Sequence, residues 1–442
     1  MVRALLSSDW YRVAPLKPRL RGHVEVHRQR FRGATWFVLQ DLHRGKYHRI
    51  TPAANYILAL MNGHRTMHEI WEAACRRFED DPPTQSETIK LMSQIGRRHT
   101  NQERQTMIAR IKNPMALRLP LFDPDKFLGA TVGLVRFLFT PFGFALWCAV
   151  VGAGVVLAIL SWQQLTEGFT DQVLAAENLL LIALAYPLVK ALHELGHGYA
   201  TKVWGGEVHE IGVMFLVFIP VPYVDASASA AFDSKWRRAV VGGAGIMVET
   251  ALAALALIVW LNAEPGLVRA FAFNVMLIGG VSTLLFNGNP LLRFDGYFVF
   301  SDLIEIPNLG QRSNAYIFYL IRTYLFRVKD VPDGVTAKGE RKWLFFYAIA
   351  AFICRIFIRF AIALFVASKF FLIGILLAGW ALFNTFIQPT LKGIKYMITS
   401  PELRQKRSKA IGLVGATYAG VAALLFSLPA PYATVAHGVV WL

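Results

Sequence analysis

The sequence predicts a mainly α-helical, polytopic membrane protein with about seven transmembrane helices and a re-entrant hairpin, preceded by a small α+β domain of winged-helix type. Three observations carry this. The 442 residues are 55% hydrophobic with a mean hydropathy of +0.41, too apolar for an ordinary soluble chain. Seven apolar stretches of spanning length follow residue 133: Leu134–Leu160, Leu179–Val203, Ala239–Leu261, Leu267–Phe286, Trp343–Val366, Phe370–Leu391 and Ile411–Leu428. The first hundred residues instead carry short alternating strands and short amphipathic helices.

In that first segment, Val24 to Asp41 alternates around Gly33 and reads as two strands, with a third at Tyr47–Ile50. Thr51-Pro52 caps a helix that ends near Gly63, Thr66 opens another, and Pro83-Thr84 a third. Residues 1–100 are thus one domain. Residues 101–133 read as a basic linker, residues 134–428 as the membrane domain, and residues 429–442 as an external tail or the start of a further β domain.

The net charge of +17 raises nucleic acid as a partner, but a membrane protein also gathers Lys and Arg on its cytoplasmic side. Residues 1–136 hold 23 Lys/Arg against 12 Asp/Glu, an excess of 11, yet no helix there carries an Arg/Asn stripe for groove reading, so no nucleic acid is expected. Three scattered cysteines make neither a disulfide framework nor a cysteine metal site. The charges order the loops consistently. The acidic 161–178 loop faces outside, and the basic segments around Lys202, Lys235–Arg238, 301–342 and 392–409 face inside. The N-terminus is then cytoplasmic and the C-terminus external.

The chemistry concentrates in the second span, where His193, Glu194 and His197 form H-E-x-x-H. Histidines at i and i+4 share a helix face and can grip one metal ion, with Glu194 beside them as a proton acceptor. Each charged group in a spanning helix costs roughly 2–3 kcal/mol, so the cluster needs a reason. Zinc is the most economical one, but a catalytic zinc takes three protein ligands. The end of the fourth span carries Asn287-Gly-Asn-Pro-Leu-Leu-Arg-Phe-Asp295-Gly296. With both motifs in this order, the chain resembles the site-2 protease family of intramembrane zinc metalloproteases, which pairs H-E-x-x-H with N-x-x-P-x-x-x-x-D-G. The resemblance makes Asp295 the third ligand beside His193 and His197. It also places both halves of the site on membrane segments, and the topology puts them at similar depth. His193 lies roughly 21 Å into a span that enters from outside, and Asp295 follows the inner end of another.

The resemblance implies a zinc endopeptidase of the bacterial inner membrane, with Glu194 as general base and Zn2+ as cofactor. Asn287, Asn289 and Pro290 are expected to hold the substrate, the asparagines at its backbone or developing oxyanion. Between the second and third spans, Gly205–Phe232 is apolar and broken by Pro220 and Pro222, which reads as the re-entrant hairpin beside the metal. The resemblance implies that such an edge takes the substrate as an added strand. His209 and Asp225 in it read as residues that cap or pair within the hairpin. Gly242, Gly243 and Gly245 read as packing positions. Glu249 is open between a water path and a helix–helix bond, and Arg355 and Arg359 between an acidic partner and snorkelling.

Gly45 to Pro52, Leu60 to Gly63 and Glu69-Ile70 resemble the leader-peptide-binding domains of ribosomal peptide maturation. That implies a leader peptide as partner of the N-terminal domain, alongside the lipid bilayer, a peptide or membrane-protein substrate, and export machinery. Three other readings compete with the peptidase. A non-proteolytic zinc-binding adaptor for peptide maturation or export keeps the zinc but not the cleavage. A di-iron oxidase is excluded, because only His193, His197, His209 and His437 follow residue 100. A membrane-anchored transcriptional regulator would bind DNA with steep salt dependence.

Overall fold

The computed structural model describes residues 6–19, 24–41, 46–79, 82–95, 116–167, 173, 176–216, 219–328, 331, 333–337, 339–368, 370–399 and 407–427. Gly45, residues 101–115 of the expected linker and the whole 429–442 tail lie outside them. The chain divides into two compact units, Met1–Leu309 with Ala337–Glu340, and Gly310–Thr336 with Arg341–Leu442.

The N-terminal domain follows the pattern expected from the sequence. Strands β1 (Val24–Phe31), β2 (Ala34–Asp41) and β3 (Lys46–Ile50) form an antiparallel meander. Arg32 and Gly33, both at positive φ (48° and 79°), make the two-residue turn between β1 and β2, the left-handed geometry a tight hairpin needs. Helices α1 (Pro52–Ala59), α2 (Met67–Arg77) and α3 (Gln85–Ile95) follow. Thr51 caps α1 by accepting from the Ala54 N–H, with Pro52 in the first turn. Thr66 and Glu69 complete a reciprocal capping box on α2. Trp10, Leu39, Ile50, Ile57, Leu58, Met67, Ile70 and Leu91 close one core between sheet and helices.

Among the described residues, six helices are long and apolar enough to cross a membrane: Pro141–Leu160 (α5), Asn178–Val203 within Ala176–Val203 (α6), Lys235–Asn262 (α7), Leu267–Asn287 (α8), Glu340–Ala367 and Phe371–Thr399. These mark a membrane protein. The seventh expected span, Ile411–Leu428, falls on a helix, Arg407–Ser427, that is not among the six. The first expected span begins late: Thr140 caps α5 with Pro141 at its first position, so Leu134 belongs to the preceding helix α4 (Asp125–Val135).

The largest difference from the sequence reading lies at residues 116–135. Taken as the end of a linker, they form a strand, β4 (Ala116–Phe122), followed by α4. β4 pairs antiparallel with β5 (Ile211–Leu216), which pairs with β6 (Ile219–Val224). The expected hairpin is therefore two strands of a three-stranded sheet. A strand partner almost a hundred residues away leaves no local signal, which is why composition alone suggested a linker. Asp125 locks this arrangement: it accepts from Lys202 Nζ at the end of α6 at 2.6 and 2.7 Å, and from the Val208 N–H at 3.0 Å.

His209 reinforces it, with Nδ1 3.0 Å from Asp123 and Nε2 3.0 Å from Glu207. Hydrogen bonds to Glu207 and then Asp123 hold the imidazole above its usual pKa. A raised pKa stabilises the fold below about pH 6.5, the unfolded value, and the contribution fades as pH rises through the folded value. All three side chains are more than half exposed, so screening keeps the effect below about 1 kcal/mol. His209→Gln is expected to lower the thermal midpoint more at pH 6 than at pH 9. Thr66→Ala removes the α2 cap and should cost about 1 kcal/mol locally, read in the full chain as roughly fivefold faster amide exchange over the first turn of α2.

In the second unit, the two arginines left open between an acidic partner and snorkelling each bond within the unit. Arg355 Nε donates to the Ala351 carbonyl at 2.9 Å, and Arg359 Nη1 to Thr385 Oγ1 at 2.7 Å.

Candidate metal centre

α6 and α7 cross at a pair of glycines. A Cβ on Gly196 of α6 would lie 2.9 Å from Val248 and 3.2 Å from the Ala244 carbonyl oxygen. A Cβ on Gly245 of α7 would lie 2.3 Å from Cε1 of the His193 ring. The expected packing role of this glycine run is thus sharpened: Gly245 is the floor on which His193 lies. Gly243 meets only Val299, at 3.6 Å.

On this crossing, the residues of H-E-x-x-H and the aspartate from the end of α8 converge. His193 Nε2 lies 2.9 Å from Asp295 Oδ2, His197 Nε2 lies 3.5 Å from the same oxygen, and the two Nε2 atoms are 3.1 Å apart. Two ligands of a tetrahedral zinc at about 2.05 Å are about 3.3 Å apart, so the triangle has the dimensions of a zinc face. Among the described residues, these three form the one cluster of metal-ligating type, with its donor atoms all within 4.8 Å of one another.

Each ligand is held from behind. His197 Nδ1 bonds the Val241 carbonyl at 2.6 Å. A carbonyl only accepts, so Nδ1 carries the proton and the Nε2 lone pair faces the site. His193 Nδ1 sits 3.2 Å from Glu249 Oε1, off the axis of a linear hydrogen bond. Glu249 is fully buried and gathers Lys190 Nζ, Thr283 Oγ1 and, at 3.1 Å, Asn287 Nδ2. This settles which use the buried carboxylate has: it ties α6, α7 and α8 together behind His193. α8 reaches it because its second half, Leu277–Asn287, runs in widened π-type turns, and because Gly279 lets it approach the Glu249 carbonyl, 2.5 Å from where a Cβ would sit.

Asp295 opens helix α9 (Asp295–Leu303). Gly296 beside it packs on the Asn287–Gly288 backbone, where a Cβ would come within 2.5 Å of Gly288. Thus the spacing from Asn287 to Gly296 folds a turn back on itself and returns the aspartate to the histidines. Of the residues expected to hold substrate, Asn287 instead donates to Glu249. Asn289 accepts the Leu291 N–H at 2.9 Å and donates to the Leu285 carbonyl, shaping the turn that also contains half-buried Pro290. The sequence reading missed Lys190, whose charge is offset by Glu249 a helix away.

Glu194 faces a cavity of about 790 Å³ that Arg49, His197, Arg238, Asp295 and Asp302 also line. One of its oxygens, Oε2, accepts the Val224 N–H at 2.9 Å. Strand alternation puts the N atoms of 220, 222 and 224 on the same side, away from β5. Two of these are prolines and the third is bonded to Glu194, so the outer edge of β6 has no free donor over this stretch. The strand addition expected there would meet only carbonyls. Asp225 also lines the cavity and accepts the Ser227 N–H at 3.0 Å.

The N-terminal domain contributes Arg49 to the cavity lining and docks beside it. Buried Gln29 donates to the carbonyls of Ala230 and Phe232 at 2.7 and 3.2 Å. The Arg32 N–H donates to Glu305 and its Nε to the Ile304 carbonyl, both at 2.9 Å. The Phe31 ring meets the guanidiniums of Arg49, at 4.0 Å, and Arg238, at 4.8 Å. Burial first, then the charge of Arg238, brings Arg49 down to about 10, which leaves it protonated at neutral pH. Burial pushes the Asp302 carboxyl up, against the pull of Arg238.

Residues 37–99 match the family of coenzyme PQQ synthesis protein D (PqqD). The N-terminal module is therefore a PqqD-like domain, which agrees with the leader-peptide-binding resemblance and points to peptide binding. No curated protein and no solved structure matches the chain.

Gly245→Ala should displace the His193 ring and cut the zinc content of the purified protein severalfold by mass spectrometry of the metal, whereas Gly243→Ala should keep it.

Proposed function

We propose that this protein is an intramembrane zinc metalloendopeptidase of site-2 protease type, acting on a peptide or membrane-protein substrate brought to it by the PqqD-like domain. The observation that carries the reading is the meeting of Asp295 with His193 and His197, which lie on a helix of spanning length, in a triangle of zinc dimensions. In the proposed mechanism, these three residues hold the ion. Bound there, zinc supplies Lewis acidity towards the scissile carbonyl and makes water acidic enough to ionise near neutral pH. Glu194 takes the proton of the attacking water on a carboxylate oxygen and returns it to the leaving nitrogen. The Val224 N–H steadies Glu194 by its bond to Oε2. Val241 and Glu249 keep the two imidazoles facing the site.

The charge pattern supports an N-terminal domain on the cytoplasmic side and a C-terminus outside, in a bacterial inner membrane, with the peptide product passed to export machinery. The re-entrant character of the β5–β6 hairpin belongs to the same reading, because strands next to a membrane-embedded site need protein cover. A non-proteolytic zinc-binding adaptor is the second reading, favoured by the PqqD-like domain.

The purified wild type is expected to hold about one zinc per chain, lost in His193→Ala and Asp295→Ala. Glu194→Gln should keep the zinc and lose hydrolysis of a peptide library by about 10²–10⁴-fold, the usual worth of a general base. Zinc without hydrolysis in the wild type would favour the adaptor, and wild-type activity in Glu194→Gln would remove Glu194 as base.

A further inference from the structure

The cavity in front of the metal centre has a second chemistry in its lining. Arg238 comes from α7 and Arg49 from β3 of the PqqD-like domain, and both line the space that holds Glu194, His197 and Asp295. Arg238 is 4% exposed. Its Nη1 donates to the Phe232 and Asp233 carbonyls and its Nε to Asp302 at 3.2 Å, but its Nη2 is buried with no hydrogen-bond partner. Arg49 Nε is likewise buried and unpartnered. Asp302 is the carboxylate that the two guanidiniums share at this end of the cavity. The other cavity carboxylates have partners elsewhere: Asp295 lies on the histidines, Glu194 accepts from Val224, and Asp225 from Ser227. Two guanidiniums thus sit together against Asp302 with two orphaned N–H donors. Buried orphan donors on a charged group are costly, and an anion is the group that satisfies both the charge and the donors.

We propose that Arg49 and Arg238 form an anion subsite of the peptidase cavity that binds a carboxylate of the substrate, either an Asp/Glu side chain or the free C-terminus, close to the bond to be cleaved. The inference rests on the zinc peptidase reading and deepens it. Because Arg49 belongs to the PqqD-like domain, that domain supplies part of the substrate-selecting surface in addition to any leader it holds. Specificity by paired arginines follows from their geometry: a guanidinium offers a fork of donors that matches a carboxylate, and an uncharged amide leaves them unpaired.

The test uses the full zinc-loaded chain in detergent and measures the binding of three fluorescent peptide hydroxamates by anisotropy. Of these, the first carries an internal Glu and an amidated end, the second an internal Gln and an amidated end, and the third an internal Gln and a free C-terminal carboxylate. The hydroxamate tests the metal, and the differences among the probes test the subsite. The expected result is that at least one carboxylate probe binds about tenfold more tightly than the Gln amide. In Arg49→Gln that ratio should fall to about twofold or less, and in Arg49→Lys to an intermediate value. Arg49→Gln leaves the Arg238 bonds to Phe232, Asp233 and Asp302 in place, so the test does not depend on the more structural Arg238→Gln. Preference for the internal Glu assigns the subsite to a side chain, and preference for the free end assigns it to a chain terminus. Equal binding of all three probes by the wild type, or an undiminished ratio in Arg49→Gln, overturns the subsite while leaving the zinc reading intact. Failure of every hydroxamate to bind overturns the zinc reading and the subsite with it.

Discussion

The close approach of α6 and α7 is the constraint on which the rest of the site depends. Gly196 and Gly245 remove the side chains that would hold the helices apart, and the His193 ring takes the vacated space. At that separation His197 reaches the Val241 carbonyl, and Glu249 reaches Lys190 and His193. A helix pair spaced one side chain further apart would keep the same motif and lose the geometry that orients both imidazoles. Small residues at such a crossing serve packing in many membrane helices. Here they also set the direction of two imidazoles.

The same crossing explains why so many ionisable groups are tolerated. Lys190, His193, Glu194, His197 and Glu249 would each be expensive alone in an apolar helix. Each instead has a partner from a different element: Lys190 and His193 from Glu249, Glu194 from β6, His197 from α7, and Glu249 from α8 through Thr283 and Asn287. Removal of one member leaves a buried group unsatisfied, so the network behaves as a unit. It is also why Asn287, which on sequence grounds faced the substrate, lies behind the ligands: the widened turns at the end of α8 rotate it towards Glu249.

The N-terminal domain belongs to this architecture through contacts that are mostly polar and specific. Gln29, Arg32 and Phe31 all lie at the β1–β2 hairpin end and engage the segment between β6 and α7, the end of α9 and the first turn of α7, respectively. The domain thereby adds Arg49 to the cavity wall.

Much of this was legible in the sequence. The strands, the caps at Thr51 and Thr66, the apolar helices and the pairing of the His193–His197 motif with Asp295 follow from short-range patterns and from one long-range match of motifs, because capping and periodicity act within a few residues. Tertiary structure alone decided three things. Residues 116–122 became a strand because their partner, β5, lies almost a hundred residues later, beyond any local pattern. Glu249 became the brace behind His193 because only helix packing brings Lys190, Thr283 and Asn287 to it. Arg49 came to face the cavity because the hairpin carrying Phe31 docks on Arg238, a contact between groups that are far apart in the chain and carry no motif.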